Sequence, residues 1–190
     1  YENGISFIIP CKNEEKYLIY CLKQLKKKYK NIFFIIIPRH LHRAEKIKYS
    51  LKKHNVKFAL RSINKSSIKE KEFYIVDSFG ELPLFFKLSE ITIVGGSFTN
   101  KGGHNPIETS HFKCALIFGP FMQNFSNIEK TILKKNAGFK VKNSKQLSDK
   151  ITLLLSNRKK KNEVINNFKK VCKNESKKAR LIFNNLQKFL

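Results

Sequence analysis

The sequence repeatedly places a short apolar run, rich in β-branched residues, directly before glycine, proline or a polar turn. The clearest run extends from Ile91 to Val94, has the composition of a buried parallel strand, and stops at Gly95 and Gly96. Similar runs occur at residues 5–9, 32–37, 56–60, 73–76, 114–118 and 137–141. This alternation of strands with helical stretches predicts a single α/β domain over residues 1–190, with a Rossmann-like, doubly wound parallel sheet.

Helices are expected at about residues 14–29, at 144–156 and through the tail from about residue 157. Glu14 and Glu15 suit the first turn of the first helix, because carboxylates favour the positive end of the helix dipole. In the tail, apolar side chains recur at helical spacing: Phe168, Val171, Cys172, Ala179, Ile182, Phe183 and Leu186. This spacing predicts a packed amphipathic helix, with the lysines on its solvated face.

The segment after the glycine pair has the composition of an anion or nucleotide site. A second pair, Gly102-Gly103, leads into His104 and Asn105, followed by Pro106 and Glu108. Asn suits the N-cap, Pro the first helical position and Glu the third, so a helix is expected to begin here. A glycine-rich loop that ends at a helix N-terminus gathers unpaired N–H groups, which favour a phosphate.

Four motifs in this region resemble the 3-deoxy-D-manno-octulosonic acid (Kdo) transferases: GGS at residues 95–97, GGHNP with a glutamate at 102–108, FGP at 118–120, and Asn124-Phe125. The resemblance implies a two-domain GT-B glycosyltransferase, of which this chain is the C-terminal, donor-binding half. Such an enzyme moves Kdo from CMP-Kdo onto a lipid A precursor during lipopolysaccharide biosynthesis. The catalytic base is then expected on an N-terminal acceptor domain upstream of this sequence.

Two further segments match the same family after predicted strands. Pro38, Arg39 and His40 follow the run at 32–37, and ligands of open α/β sheets bind beyond the carboxyl ends of strands. The guanidinium of Arg39 suits contact with phosphate or cytidine, whereas Arg43 fits either a ligand contact or a solvated helix face. The second segment is DSFGEL at 77–82, where Asp77 or Ser78 is expected to cap a helix.

The resemblance implies a donor site with no metal and no cofactor. It assigns to this site Pro38, Arg39, His40, Gly80, Glu81, Gly95, Gly96, Ser97, Gly103, His104, Asn105, Glu108 and Asn124. Gly95, Gly96 and Ser97 would donate hydrogen bonds to the phosphate, and Asn105 and Glu108 would anchor the helix start and the ribose hydroxyls.

Charge and composition leave several partners open. The formal net charge of +25 suits an anionic membrane surface, although drift in an A/T-rich genome accounts for the excess lysine equally well. No nucleic-acid-binding motif is present. The four cysteines are widely separated, which favours neither a metal site nor a disulfide framework. The only methionine is Met122, so a missing upstream portion is expected. We expect a soluble segment of an enzyme at the cytoplasmic face of the bacterial inner membrane.

The sequence departs from the family pattern at two places. Pro10 and Cys11 stand where the family has polar residues, and Phe121 replaces a histidine. Two alternatives therefore stay open at this stage. One is a GT-B transferase or epimerase that uses a UDP-sugar, and the other is a nucleotide-binding module without catalysis.

Overall fold

The computed structural model describes residues 4–8, 14–30, 32–63, 68 and 70–186. Pro10 and Cys11 lie outside these residues. So do the side chains expected to pack in the last part of the tail, which are those of Ala179, Ile182, Phe183 and Leu186.

The described residues form one seven-stranded sheet in which every pair of neighbouring strands is parallel. The strands are β1 (Gly4–Ile8), β2 (Phe33–Ile36), β3 (Phe58–Leu60), β4 (Phe73–Ile75), β5 (Ile91–Val94), β6 (Ala115–Phe118) and β7 (Phe139–Lys140). Their order across the sheet is β3-β4-β2-β1-β5-β6-β7. The predicted runs all correspond to strands, with ends that differ by at most two residues.

The described part of the chain contains six α-helices, of which the first four lie between strands and the last two follow β7. They are α1 (Glu15–Leu25), α2 (Arg43–Lys53), α3 (Leu82–Lys87), α4 (Ser126–Lys134), α5 (Ser144–Ser156) and α6 (Arg158–Leu186). Two short 3-10 helices cover Pro106–Thr109 and Gln123–Phe125. The predicted bounds of α5 are confirmed, and its N-cap Asn143 accepts a hydrogen bond from the Gln146 amide.

Helices cover both faces of the sheet, because successive strand residues point to opposite sides. In β2, Phe34 and Ile36 pack with α1 and α2, whereas Phe33 and Ile35 face α3. One side of β6 packs against α5, and the other side packs against α4 and α6. Strands buried on both faces read as continuous apolar runs, which is why the sequence revealed them. The doubly wound α/β fold is confirmed.

The chain reverses its direction of travel across the sheet beside β1. From β1 it proceeds to β2 and β4 on one side, and it then returns to β5 on the other. Parallel strands end at one common edge, so the segments after β2, β4 and β5 meet there. A crevice at this point is where open α/β sheets bind ligands.

Two local expectations need correction. Neither Asp77 nor Ser78 caps α3: Asp77 accepts hydrogen bonds from the backbone and hydroxyl of Ser62, and Ser78 donates to Glu81. Arg43 does not lie on a solvated face, since it is only 8% exposed and its Nη2 is 3.8 Å from Glu15 Oε2. Asp77 and Arg43 find their partners in distant segments, which no local pattern identifies, whereas Ser78 bonds to a neighbour three residues along the chain.

Candidate functional site

A cavity of about 470 Å³ opens at the carboxyl edge of the sheet. Its walls come from the segments that follow β2, β4, β5 and β6, together with the 3-10 turn after β5. This volume falls within the range of about 300–1,000 Å³ that is typical of small-molecule sites.

The structure brings most of the sequence-predicted site residues together around this cavity. Those that line it are Pro38, Arg39, Gly80, Gly95, Gly103, His104, Asn105, Glu108 and Asn124. The other four, His40, Glu81, Gly96 and Ser97, are not among the lining residues. Residues from segments more than 80 positions apart thus meet at one site, as the shared sheet edge requires.

The loop between β5 and the 3-10 turn is closed on itself by backbone hydrogen bonds. The amides of Gly103 and His104 donate to the carbonyls of Gly96 and Gly95, each at 3.0 Å. Gly96 and Gly103 have φ angles of +71° and +76°, in the left-handed region that glycine adopts without steric cost. The two glycine pairs therefore build a narrow loop that delivers His104 and Asn105 to the cavity.

Asn124 joins this loop to the segment after β6. Its backbone N–H donates to the Gly102 carbonyl at 3.0 Å, and its side-chain amide donates to the Lys101 carbonyl at 3.1 Å. A β-carbon on Gly102 would lie 2.5 Å from the Asn124 side chain, so glycine is required for this close approach. Asn124 thus forms one wall of the cavity and also fixes the loop opposite.

The predicted helix at Asn105 is a single 3-10 turn of four residues. Asn105 does act as its N-cap, since its Oδ1 accepts the Ile107 N–H at 3.0 Å. The Ser110 N–H donates to the carbonyl of Ile107, three residues back, and the helix ends at Thr109 without an α-helical turn. The macrodipole expected from the sequence is therefore absent here, because it requires several aligned peptide units.

Gly96 and Ser97 have partners inside the protein rather than at the cavity. Ser97 is fully buried; its hydroxyl donates to the Val94 carbonyl and accepts the Gly119 N–H at 2.7 Å. The Gly96 N–H donates to the carboxylate of Glu14 at 2.8 Å. These two residues were expected to donate hydrogen bonds to a phosphate. The structure instead uses both of them to hold the loop.

Glu81 also faces away from the cavity, towards Arg61. The guanidinium donates to both carboxylate oxygens of Glu81, and Ser78 donates to the same carboxylate. These hydrogen bonds, chiefly those from Arg61, lower the pKa of Glu81 to about 2. The pair stabilises the segment after β4, which carries Gly80 at the cavity wall.

Arg39 and His104 set the electrostatics of the cavity. Arg39 Nη1 lies 3.3 Å from His104 Nδ1. Burial and then the charge of Arg39 lower the pKa of His104 to about 4, so the imidazole is neutral at pH 7. Lys101 contributes a second cation and Glu108 a carboxylate to the lining. The cavity lining therefore offers two cationic side chains and a carboxylate that can accept hydrogen bonds.

Sequence reasoning missed several lining residues. They are Ile37, Ser78, Phe79, Leu82, Thr92, Val94, Lys101, Thr109 and Phe125. Thr92 and Val94 share one face of β5, so the two-residue strand period could have identified them. Phe79 is 76% exposed at the cavity wall, and its place within the matched DSFGEL segment was a usable signal.

Neither a metal cluster nor a membrane helix is found in the described part of the chain. Among those residues, no three His, Cys, Asp or Glu side chains are placed to hold a metal ion. No described helix is both long and apolar enough to cross a bilayer.

Comparison with known proteins gives a consistent assignment, although no family model matches the chain. The 3-deoxy-D-manno-octulosonic acid transferase of Rickettsia felis is 38% identical over 143 residues, which cover 75% of this chain and 31% of the relative. A bifunctional glycosyltransferase/methyltransferase of Fusobacterium nucleatum is 35% identical over 167 residues, 85% of this chain and 26% of the relative. The chain thus spans about a third of the length of the curated relatives it matches.

Among solved structures, the chain is similar to the C-terminal CMP-Kdo binding domain of WaaA from Acinetobacter baumannii. The TM-score is 0.83 at 25% identity, and the match covers 89% of this chain and 88% of that domain. The resemblance expected from the motifs is confirmed by the sequence comparison and by the structure comparison. By sequence, this chain is similar to part of the 3-deoxy-D-manno-octulosonic acid transferases, and by fold it is similar to a C-terminal CMP-Kdo binding domain.

Proposed function

We propose that this chain binds CMP-Kdo and serves as the donor-binding domain of a Kdo transferase. The observation that carries the proposal is the cavity at the sheet's switch point, lined by the segments that match the family motifs. Support also comes from the homologous Acinetobacter domain, which is described as binding CMP-Kdo.

The charges around the cavity suit such a ligand. CMP-Kdo carries a phosphate and a sugar carboxylate, and Arg39 and Lys101 offer cations to these groups. A guanidinium provides planar donors as well as charge, so we assign the phosphate to Arg39. Glu108 is exposed at the wall, where its carboxylate can accept hydrogen bonds from both ribose hydroxyls.

Transfer then requires an acceptor hydroxyl, which attacks the anomeric carbon of Kdo while the bond to the phosphate oxygen breaks. The acceptor's proton passes to a carboxylate base, which we place in the part of the relatives that this chain does not span. Arg39 stabilises the charge that develops on the departing CMP. This chain therefore holds the leaving group, and we expect no transfer from these residues alone.

We assign a lipid A precursor as the acceptor and the cytoplasmic face of the bacterial inner membrane as the location. The formal net charge of +25 supports this placement, because basic residues near an anionic surface contribute about 1 kcal/mol each to attraction.

Titration calorimetry with CMP, UMP and inorganic phosphate tests the donor assignment. We expect CMP to bind and UMP to bind more weakly. Glu108→Gln should weaken CMP more than phosphate, because only CMP carries the ribose hydroxyls. Glu163→Gln on α6 removes the same charge away from the cavity and should leave both unchanged. Equal loss of CMP and phosphate in Glu108→Gln would remove Glu108 from ribose binding, and a preference for UMP would favour a UDP-sugar donor.

A further inference from the structure

Glu14 is a buried carboxylate placed between the end of β1 and the start of α1. It is 2% exposed, yet both of its oxygens are used. Oε2 accepts the N–H of Gly96 and Oε1 accepts the N–H of Phe98, each at 2.8 Å. These partners are 82 and 84 positions away along the chain. Glu14 thus joins the first loop at the sheet's carboxyl edge to the loop that follows β5.

A glutamate side chain suits both amides, and a glutamine side chain does not. A carboxylate accepts hydrogen bonds at both oxygens, whereas a glutamine side chain presents one acceptor and one donor. The NH2 group of a glutamine would face one of the two backbone N–H groups. That buried amide would then have no hydrogen-bond acceptor, which costs roughly 1–3 kcal/mol. Burial raises the pKa of Glu14, while the bonds from Gly96 and Phe98 partly offset this rise. The hydrogen bonds therefore compensate for placing a charge in the interior.

The contact reaches the cavity through one rigid peptide unit. The N–H of Gly96 and the carbonyl of Gly95 belong to the same planar group, so fixing one end fixes the direction of the other. Gly95 O accepts the His104 N–H at 3.0 Å, and the carbonyl of Gly96 accepts the Gly103 N–H at the same distance. His104 and Gly103 both line the cavity. One peptide plane therefore links Glu14 to the cavity wall.

We propose that Glu14 is a positioning residue for the donor site: it sets the orientation of the Gly95–Gly96 peptide and thereby the placement of Gly103 and His104. Glycines at these positions leave the loop free to rotate, and Glu14 removes that freedom. The effect on ligand affinity rests on the proposed binding of CMP, whereas the effect on the loop does not.

Glu14→Gln tests the proposal against a matched control, Glu15→Gln. Glu15 is the next residue, is also buried and loses the same charge, but its Oε2 accepts no hydrogen bond and lies 3.8 Å from Arg43 Nη2 as an ion pair. Calorimetry with CMP is carried out where both variants are folded. We expect Glu14→Gln to weaken CMP about tenfold or more, as loss of a hydrogen bond to a charged group predicts, and Glu15→Gln to stay within about twofold of the parent.

A second measurement needs no ligand. Amide hydrogen exchange followed by NMR should show faster exchange at Gly96 and Phe98 in Glu14→Gln, and parent-like exchange at both amides in Glu15→Gln. A role in overall stability alone would instead lower the melting temperature and leave these local rates and the affinity unchanged.

The outcomes separate the two proposals. If Glu14→Gln lowers stability but binds CMP like the parent, or if both variants weaken CMP equally, Glu14 does not position the site. If the parent itself fails to bind CMP, the proposed function fails, and the exchange rates still decide whether Glu14 orients the loop. Should Glu14→Gln not fold, Glu14→Asp is used; its shorter side chain keeps the charge but cannot reach both amides, so parent-like affinity and exchange would overturn the proposal.

Discussion

His104 shows how a single side chain departs from what its type suggests. A histidine beside a proposed phosphate site would ordinarily be regarded as a switchable cation. Here burial and the neighbouring Arg39 keep the imidazole neutral at pH 7. The positive charge available to a ligand therefore comes from Arg39 and Lys101 and not from His104.

We expect the NMR titration of His104 to have its midpoint near pH 4 instead of the ordinary 6.5. The folded pKa is lower than the unfolded one, so the stabilisation associated with neutral His104 is complete above about pH 6.5 and is lost as the pH falls towards 4. Arg39→Gln should move the midpoint upward, because it removes the second cause of the shift. A midpoint near 6.5 in the parent would contradict this electrostatic description.

At the scale of elements, the segments after β5 and β6 form one packed unit. The Ser97 carbonyl accepts the Phe121 N–H at 2.9 Å, and the Ser97 hydroxyl accepts the Gly119 N–H at 2.7 Å. A β-carbon on Gly119 would lie only 2.2 Å from the Ser97 carbonyl oxygen. The two segments thus approach each other more closely than any other residue type permits.

Gly119→Ala should therefore destabilise the domain by about 3 kcal/mol or more, because the methyl group meets backbone that cannot move aside. Gly80→Ala is the matched control. Its β-carbon would meet no atom within 4 Å, and its φ of +79° alone costs roughly 1–2 kcal/mol. Urea denaturation measures both, and equal losses in the two variants would contradict the close packing of Ser97 and Gly119.

For the molecule as a whole, α6 is part of the core and not an appended tail. Phe168 is 1% exposed and packs with Leu116 and Phe118 of β6 and with Ile132 of α4. The helical spacing of its apolar residues predicted this packing, and Phe168, Val171 and Cys172 are buried against β6 and α4. The helix therefore contributes to folding of the domain that carries the site.

Phe168→Ala should lower the free energy of unfolding by about 3–5 kcal/mol, as expected when a buried aromatic ring is removed. This loss is a large fraction of the roughly 5–15 kcal/mol that stabilises a typical domain. Lys170→Ala, on the exposed side of the same helix, should change it by no more than about 0.5 kcal/mol. Similar values for the two variants in chemical denaturation would show that α6 does not belong to the core.

The sequence predicted the sheet well because its strands are buried on both faces and are therefore almost wholly apolar. It also placed Arg39, His104 and Glu108 correctly at the carboxyl edge, since that edge follows from strand direction alone. It could not foresee that Glu14 binds the Gly96 amide, because no local pattern encodes a partner 82 residues away. The short turn at Pro106 was likewise hidden, since a cap marks the start of a helix but not its length.

The two outermost strands have a consequence for how separate copies of this protein behave in concentrated solution. β3 contains three residues and β7 only two. An open sheet with interior strands as apolar as FFII and ITIV would attract strands from other molecules if its edge strands were long. Such short edge strands leave few unpaired backbone groups with which a second molecule could form hydrogen bonds. On β7, Lys140 also adds charge and pairs with Glu129 at 2.6 Å. The fold thereby limits edge-to-edge aggregation while keeping its apolar strands enclosed.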